Sequence, residues 1–294
     1  MKSLRIAVLV SPDPSDIYFA NKIMEAIDVE VVFVETKFRE ENNLQRYLKF
    51  FKALFNPVKV ITKLRDSRLR KQLDHRSGTI AAEGFGDAGK QIFPKNGTTV
   101  IYTDGPKDLN SSINVARLKA FKVDLIVCCG CSILNNSVIS IPRLGVLNLH
   151  GGLSQRYRGI LPILFSINNN EPEYIGLTVH YVRQGIDDGE VIYQARPVIC
   201  LDDNPESIYI KIVKLGIENM LQAIADIAYG KIKSYKLIEK GKLYTAKMAT
   251  AEVIAKAWEG SELVIASYLA NKDEQDKEVL MMLNKHYSTD SIST

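Results

Sequence analysis

The sequence has no apolar run near the roughly 20 residues that a membrane-spanning helix needs. Residues 4–10 are apolar, but the run is short, contains Arg5 and leads into Ser11-Pro12-Asp13-Pro14 rather than a small-residue cleavage site. It reads as a first strand and not as a signal peptide. Cysteine is scarce: there are four in 294 residues, with Cys128, Cys129 and Cys131 crowded together and Cys200 alone. That is no disulfide framework, and it points to a reducing cytoplasm. Charge of one sign is also lacking. The net charge of +4 is too small by itself to argue for nucleic acid. No internal repeat or low-complexity tract is present, and with 46% hydrophobic and 24% charged residues the composition excludes a disordered chain, a collagen or a coiled-coil rod. The length suits one large or two modest domains with a substantial core.

What is present alternates. Residues 4–10, 29–34, 98–102, 124–129 and 145–150 are short runs rich in apolar and β-branched residues, with helical patterns over 16–27 and 109–121. Strand alternating with helix predicts an α/β fold with a mostly parallel central sheet and helices on both faces. Ligands on such sheets sit at the carboxyl ends of the strands. Further on, 162–168 reads as helix, 176–182 and 190–198 as strands, 205–229 as a long amphipathic helix, and 232–238 as a last strand. Residues 250–257 and 261–270 suit helices, and 271–294 is polar enough to fray. We therefore expect a catalytic domain over 1–238, with a long basic insertion or crossover at 37–97, and a short, mainly helical extension over 239–294. The insertion has a helical pattern at 46–54, and 59–76 holds seven Lys or Arg against two Asp.

Several signals have ordinary readings. Gly84, Gly86 and Gly89 spell G-x-G-x-x-G, but no buried strand precedes them, so a flexible loop is expected rather than a dinucleotide site. Cys128-x-x-Cys131 has metal spacing but no second pair and no nearby His set, so core packing is expected and no metal. The basic run is a solvated surface by default, and aromatics are not interleaved in it. His180, in mid-strand, reads as a core or neighbouring residue; His75 and His286 carry no signal.

Asn148-Leu149-His150 is different. It ends a buried strand and runs into Gly151-Gly152, where a ligand can approach the backbone closely. Packing explains a polar Asn and a His there poorly. A second loop, from Gly185 through Ile186, Asp187 and Asp188 to Gly189, puts carboxylates in a glycine-bounded turn.

At these residues the sequence resembles the folate-dependent formyltransferase family, which includes methionyl-tRNA formyltransferase, phosphoribosylglycinamide formyltransferase and the amino-sugar N-formyltransferases. The resemblance runs over 124–198 through DLIVCCGCSIL, IPRLGVLNLHGGL, RYRGILPI and GLTVHYVRQGIDDGEVIYQARPV. Residues 37–97 and the tail lie outside it. The resemblance implies a Rossmann-like formyltransferase fold, a 10-formyltetrahydrofolate donor, and Asn148, His150 and Asp187 as the catalytic trio. Asn148 would donate to the tetrahedral oxyanion formed when an amine attacks the formyl carbon. His150 would take the amine proton or steady the oxyanion, and Asp187 would orient His150. By the same resemblance the pterin lies against Gly130, Cys131, Ser132, Ile133 and Leu134 on one side and Val182, Gly185 and Ile186 on the other. Gly151, Gly152, Arg156, Tyr157, Arg158 and Gly159 shape the acceptor side.

Two departures bear on the acceptor. Gly152 stands where many relatives have Ser, and Leu153-Ser154-Gln155 stands for Leu-Leu-Pro, which predicts a looser turn. The C-terminal segment lacks the alternating pattern of the β-barrel that methionyl-tRNA formyltransferases carry. The expected acceptor is thus a small amine, foremost a nucleotide-linked amino sugar, with the basic insertion available for a diphosphate. A tRNA-directed enzyme using that insertion in place of the barrel is the alternative; a phosphoribosylglycinamide type and a non-catalytic folate binder are others. The tail helices suit either a homodimer contact or a cap over the sheet.

Overall fold

The computed structural model describes residues 4–36 and 57–287. The helical pattern at 46–54 and the last residues of the tail lie outside these. Strands β1 (Ile6–Val10), β2 (Val31–Val34), β3 (Thr99–Tyr102), β4 (Leu125–Cys129), β5 (Val146–His150), β7 (Leu177–Tyr181) and β8 (Val191–Ala195) form one sheet in the order β3-β2-β1-β4-β5-β7-β8. The first five run parallel, and β7 and β8 are antiparallel additions at one edge. The order reverses between β1 and β4. The carboxyl ends of those strands therefore open a crevice, where ligands of such sheets bind. β1, β2 and β4 are buried along their whole length, as strands covered on both faces must be.

Period-2 alternation sends one set of side chains to each face. Leu125, Val127, Cys129, Leu147 and Leu149 pack in the larger core with α1 (Pro14–Ala26) and α6 (Pro205–Ala228). Ile126, Cys128 and Val146 pack in the smaller core with α3 (Ser112–Ala120) and α4 (Asn136–Ile139). Helix α6 begins where its sequence says it should: Asn204 caps it in a capping box with Ser207, and Pro205 occupies the first turn.

Four local expectations are corrected. Gly84 is not in a flexible loop; it lies near the end of α2 (Pro57–Phe85), which turns directly into a short 3-10 helix, Gly86–Gly89. The segment 232–238 is no strand, and only Tyr235 bridges to Val191. The two expected C-terminal helices are one, α7 (Ala251–Ala270). The polar segment after it forms α8 (Lys272–Tyr287), tied back by an Arg196–Asp276 ion pair at 2.7 Å. A small parallel ladder, β6 (Tyr157–Gly159) with β9 (Lys242–Tyr244), was not foreseen because each strand is only three residues long. α5 (Pro162–Asn168) follows β6. Among the described residues no helix is long and apolar enough to cross a membrane.

Candidate active site

Asn148 and His150 are two apart on β5, so both point to one face at the carboxyl end of the sheet. The antiparallel register sets His180 of β7 directly opposite Asn148, which puts their side chains on the same face. Asn148 Nδ2 lies 3.2 Å from His180 Nε2. His180 Nδ1 is 3.0 Å from the Tyr181 carbonyl and must donate to it; in the neutral ring Nε2 is then an acceptor, and Asn148 is its donor. At the other end of the amide, the single Cys128 S–H is shared between the Leu147 carbonyl at 3.2 Å and Asn148 Oδ1 at 3.4 Å. One amide N–H of Asn148 is left for a ligand.

Asp187 completes the group from the loop between β7 and β8. Its φ of 48° is left-handed, a strained conformation for a non-glycine residue and one that recurs at functional sites. Its Oδ2 accepts from the Gly159 N–H at 2.8 Å and lies 3.5 Å from His150 Nδ1, while Oδ1 lies 3.5 Å from His180 Nε2. Burial alone would raise this carboxyl. His150 and His180 in their protonated forms, together with the Gly159 N–H, outweigh it and hold Asp187 well below the usual carboxylate range. His150 Nε2 is 2.9 Å from the Tyr157 carbonyl and so carries a proton, which leaves Nδ1 as the nitrogen facing Asp187.

These groups line one cavity of about 890 Å³, large enough for a donor and an acceptor together. Of the residues expected at the pterin, Gly130, Cys131, Ser132, Ile133, Leu134, Val182, Gly185 and Ile186 all face it. Gly130 has φ +67°, and a Cβ there would stand 1.8 Å from Asp16 Oδ2. Only glycine lets this backbone approach Asp16 so closely at the cavity wall. The Ser132 N–H is turned the other way, donating to Glu35 at 2.7 Å.

The acceptor-side expectation is corrected in part. Gly151 and Gly159 line the cavity, but Gly152, Arg156, Tyr157 and Arg158 do not. Arg156 pairs with Glu171 and stands over the Tyr174 ring. Tyr157 is only 1% exposed, and its hydroxyl bonds Glu171 and Asn169. Arg158 donates to the carbonyls of Gly241 and Ile186. These side chains hold the ladder and the Asp187 loop. The turn is also not loose: Thr178 Oγ1 donates to the Gly152 carbonyl at 2.7 Å and accepts from the Ser154 N–H.

Sequence reasoning missed His180 and Asp16. The signal for His180 was its register opposite Asn148, legible only once the two strands were paired. Asp16, 2% exposed at the start of α1, lines the same cavity and accepts from Ser11 at 2.6 Å and from Ser15 and Cys129. Burial pushes its carboxyl up to about 7. Cys128 and Cys129 are buried free thiols, and among the described residues no cluster of His, Cys, Asp and Glu could hold a metal.

In structure the chain is similar to a 4-N formyltransferase from Francisella tularensis, with a TM-score of 0.51, 20% identity and coverage of 84% of this chain and 78% of that one. It is equally similar to a phosphoribosylglycinamide formyltransferase from Anaplasma phagocytophilum, with a TM-score of 0.51, 20% identity and coverage of 83% of this chain and all of the other. These likenesses bear out the fold class. In sequence it is 33% identical over 132 residues to a methionyl-tRNA formyltransferase of Methylacidiphilum infernorum, covering 45% of this chain and 41% of that protein. It is 29% identical over 176 residues to that of Kosmotoga olearia, covering 60% and 55%. The chain thus spans about half the length of the curated relatives it matches, or less. The formyl transferase family model matches residues 4–224, as the resemblance at Asn148, His150 and Asp187 led us to expect, and the chain belongs to that family of formyl-transferring enzymes.

Proposed function

We propose that the protein is an N-formyltransferase that moves the formyl group of 10-formyltetrahydrofolate to a primary amine of a small acceptor, foremost a nucleotide-linked amino sugar. The observation that carries this reading is Asp187 wedged between His150 and His180, beside the amide of Asn148, in one cavity. The donor supplies a carbonyl carbon open to attack. The residues 130–134 and 182–186 would hold its ring from two sides. Asn148 donates its remaining N–H to the formyl oxygen, where negative charge develops as the amine adds. One such preorganised donor is worth roughly 2.7–4 kcal/mol in the transition state.

The amine must lose a proton as the N–C bond forms. The edge between His150 Nδ1 and Asp187 Oδ2 receives it: the two atoms are 3.5 Å apart, and a proton on Nδ1 is held by the carboxylate it faces. The formyl carbon's bond to the donor nitrogen then breaks, that nitrogen takes up the proton, and tetrahydrofolate leaves. Cys128 and His180 act one step back, by fixing which way the Asn148 amide points.

A small acceptor is supported by another part of the cavity wall. Ile254 and Trp258 of α7 line it, with Arg76 of α2 over the Trp258 ring at 4.5 Å. Arg70, exposed on the rim and donating to the Ala249 carbonyl, suits the charged remainder of a sugar nucleotide. The exposed Arg65, Arg68 and Lys71 on α2 favour a second reading, a tRNA acceptor; such binding would weaken steeply with salt.

The test is formyl transfer itself. The protein is mixed with 10-formyltetrahydrofolate and pooled amino-sugar nucleotides, glycinamide ribonucleotide and methionyl-tRNA, beside a His150→Ala control. A formylated product lost in the control is the expected result. No product and no folate binding would sink the proposal.

A further inference from the structure

Beyond the trio the same cavity is lined by a second group of residues, here called the arm, all of which lie outside 124–198. Its walls come from the two segments outside the matched stretch of 124–198: Leu73 and Ala81 of α2, and Ile254 and Trp258 of α7, with Ile212 and Val213 of α6 behind them. The α2 and α7 walls are locked together by Arg76 over Trp258 and by Arg70 on the Ala249 carbonyl. The polar groups on the floor are Ser15, Asp16, Ser77, Glu206 and Tyr209. Tyr209 donates to Ser15 at 3.1 Å, and Ser77 donates to Glu206.

Nothing on this floor recognises an anion. A phosphate needs cationic side chains or free backbone N–H groups. Two helix starts reach the arm, those of α6 and α1: at α6, Pro205 has no N–H and the N–H groups of Glu206 and Ser207 bond the Asn204 side chain, and at α1 most of the donors are engaged as well. Pro14 has no N–H, the N–H groups of Asp16 and Ile17 both bond the Asp13 carbonyl, and the Asp16 carboxyl lies in its first turn. The one arginine lining this part of the cavity, Arg70, is exposed at the rim. What the arm offers is apolar surface plus hydroxyls and carboxyls that burial drives toward their neutral forms, Asp16 to about 7 and Glu206 upward as well. Such groups exchange hydrogen bonds with hydroxyls and amides without opposing charge.

We infer that this arm seats the body of the acceptor next to its amine, and that it takes an uncharged, apolar-faced body rather than a phosphate-bearing one. The inference rests on the formyl-transfer reading for the identity of the ligand as the acceptor. A deoxygenated sugar ring and an aliphatic amino-acid side chain share this chemistry. Any diphosphate on a larger acceptor then stays at the mouth, near Arg70.

Trp258 is the only tryptophan in the chain, so its emission reports on this wall without any turnover. The full-length protein, without donor, is titrated with three amines: a nucleotide-linked 4-amino-dideoxyhexose, L-methioninamide and glycinamide ribonucleotide. The expected result is a saturable change in Trp258 emission with at least one of the first two, at a half-saturation roughly tenfold or more below that of glycinamide ribonucleotide. Which of the two it is separates the sugar from the amino-acid source. Ala81→Phe fills the arm and should weaken that binding roughly tenfold, with tetrahydrofolate binding unchanged. Ile254→Ala, which removes bulk instead, should weaken it several-fold and guards against a folding defect in the first variant. The inference is overturned if glycinamide ribonucleotide binds as tightly as the neutral-bodied amines. It is also overturned if Trp258 responds to none of them while tetrahydrofolate binds normally, or if both variants leave acceptor binding unchanged. Loss of folate binding with the Trp258 response intact would instead overturn the formyl-transfer reading alone.

Discussion

The backbone N–H of Gly159 donates a 2.8 Å hydrogen bond to Asp187 Oδ2, and Gly159 is itself paired with Tyr244 in the β6–β9 ladder. A strand late in the chain thus helps to aim the carboxylate of a loop between β7 and β8. Gly159 has φ +89°, and a Cβ on it would stand 2.1 Å from the Tyr244 carbonyl. Gly159→Ala must therefore open the ladder or twist the backbone, a strain of about 1–3 kcal/mol. We expect a lower melting temperature together with a fall in kcat larger than any change in donor affinity. Wild-type kcat in a folded Gly159→Ala protein would show that the ladder does not govern Asp187.

Asn148 is set from both ends, by Cys128 at its oxygen and by His180 at its nitrogen. Removing the amide removes a donor that matters most when charge builds on the formyl oxygen. Asn148→Ala should lower kcat by roughly 10²–10³ while tetrahydrofolate binding stays within a few-fold of wild type. Isothermal titration with tetrahydrofolate beside single-turnover rates checks both halves. An equal loss in binding and rate would recast Asn148 as a binding group.

The sheet and the polar end of β5 were legible because each left a local mark. Continuous apolar runs such as LIVCC admit few readings besides a strand buried on both faces, and Asn148 and His150 broke such a run where packing gives no reason for polarity. What was hidden depended on pairing. His180 joins the site through cross-strand register, Asp16 through the close approach of Gly130, and Trp258 through the docking of α7 on α2. None of these is a property of a short window. Three-residue strands such as β6 and β9 have too little periodicity to announce themselves, and so Arg156, Tyr157 and Arg158 read as a ligand surface when they are the ladder's own supports.

Tyr157 separates those two views. Its hydroxyl donates to Glu171 and accepts from Asn169, and its ring stacks on Tyr244 at 5.5 Å. Its backbone carbonyl, which holds His150, does not depend on the side chain. Tyr157→Phe should cost about 1–3 kcal/mol of stability by leaving buried partners unsatisfied. Acceptor KM should stay within about twofold of wild type, because the side chain reaches no ligand. Denaturant melts and initial rates test this; a raised KM at unchanged stability would return Tyr157 to the acceptor site.

Asp16 and Asp187 should pull stability in opposite directions with pH. For Asp187 the folded carboxyl lies below its ordinary range: burial opposes this, but His150, His180 and Gly159 outweigh it. The unfolded chain takes up that proton first as pH falls, so the stability Asp187 contributes is complete above about 4 and is lost only in more acid solution. For Asp16, burial raises the carboxyl from 3.8 to about 7. Between those values the folded protein holds a proton that the unfolded chain has released. Stability therefore declines as pH rises from about 4 to about 7 and levels off above, a total of about 4 kcal/mol at 1.36 kcal/mol per unit. Asp16→Asn keeps the size and hydrogen-bonding capacity of the group but cannot ionise. The variant should match or fall below wild type near pH 4, gain on it up to about pH 7 and hold that gain to about pH 8. Urea titrations at half-unit intervals read the difference directly. A constant gap between the two curves would show that Asp16 is ionised in the folded protein throughout this range.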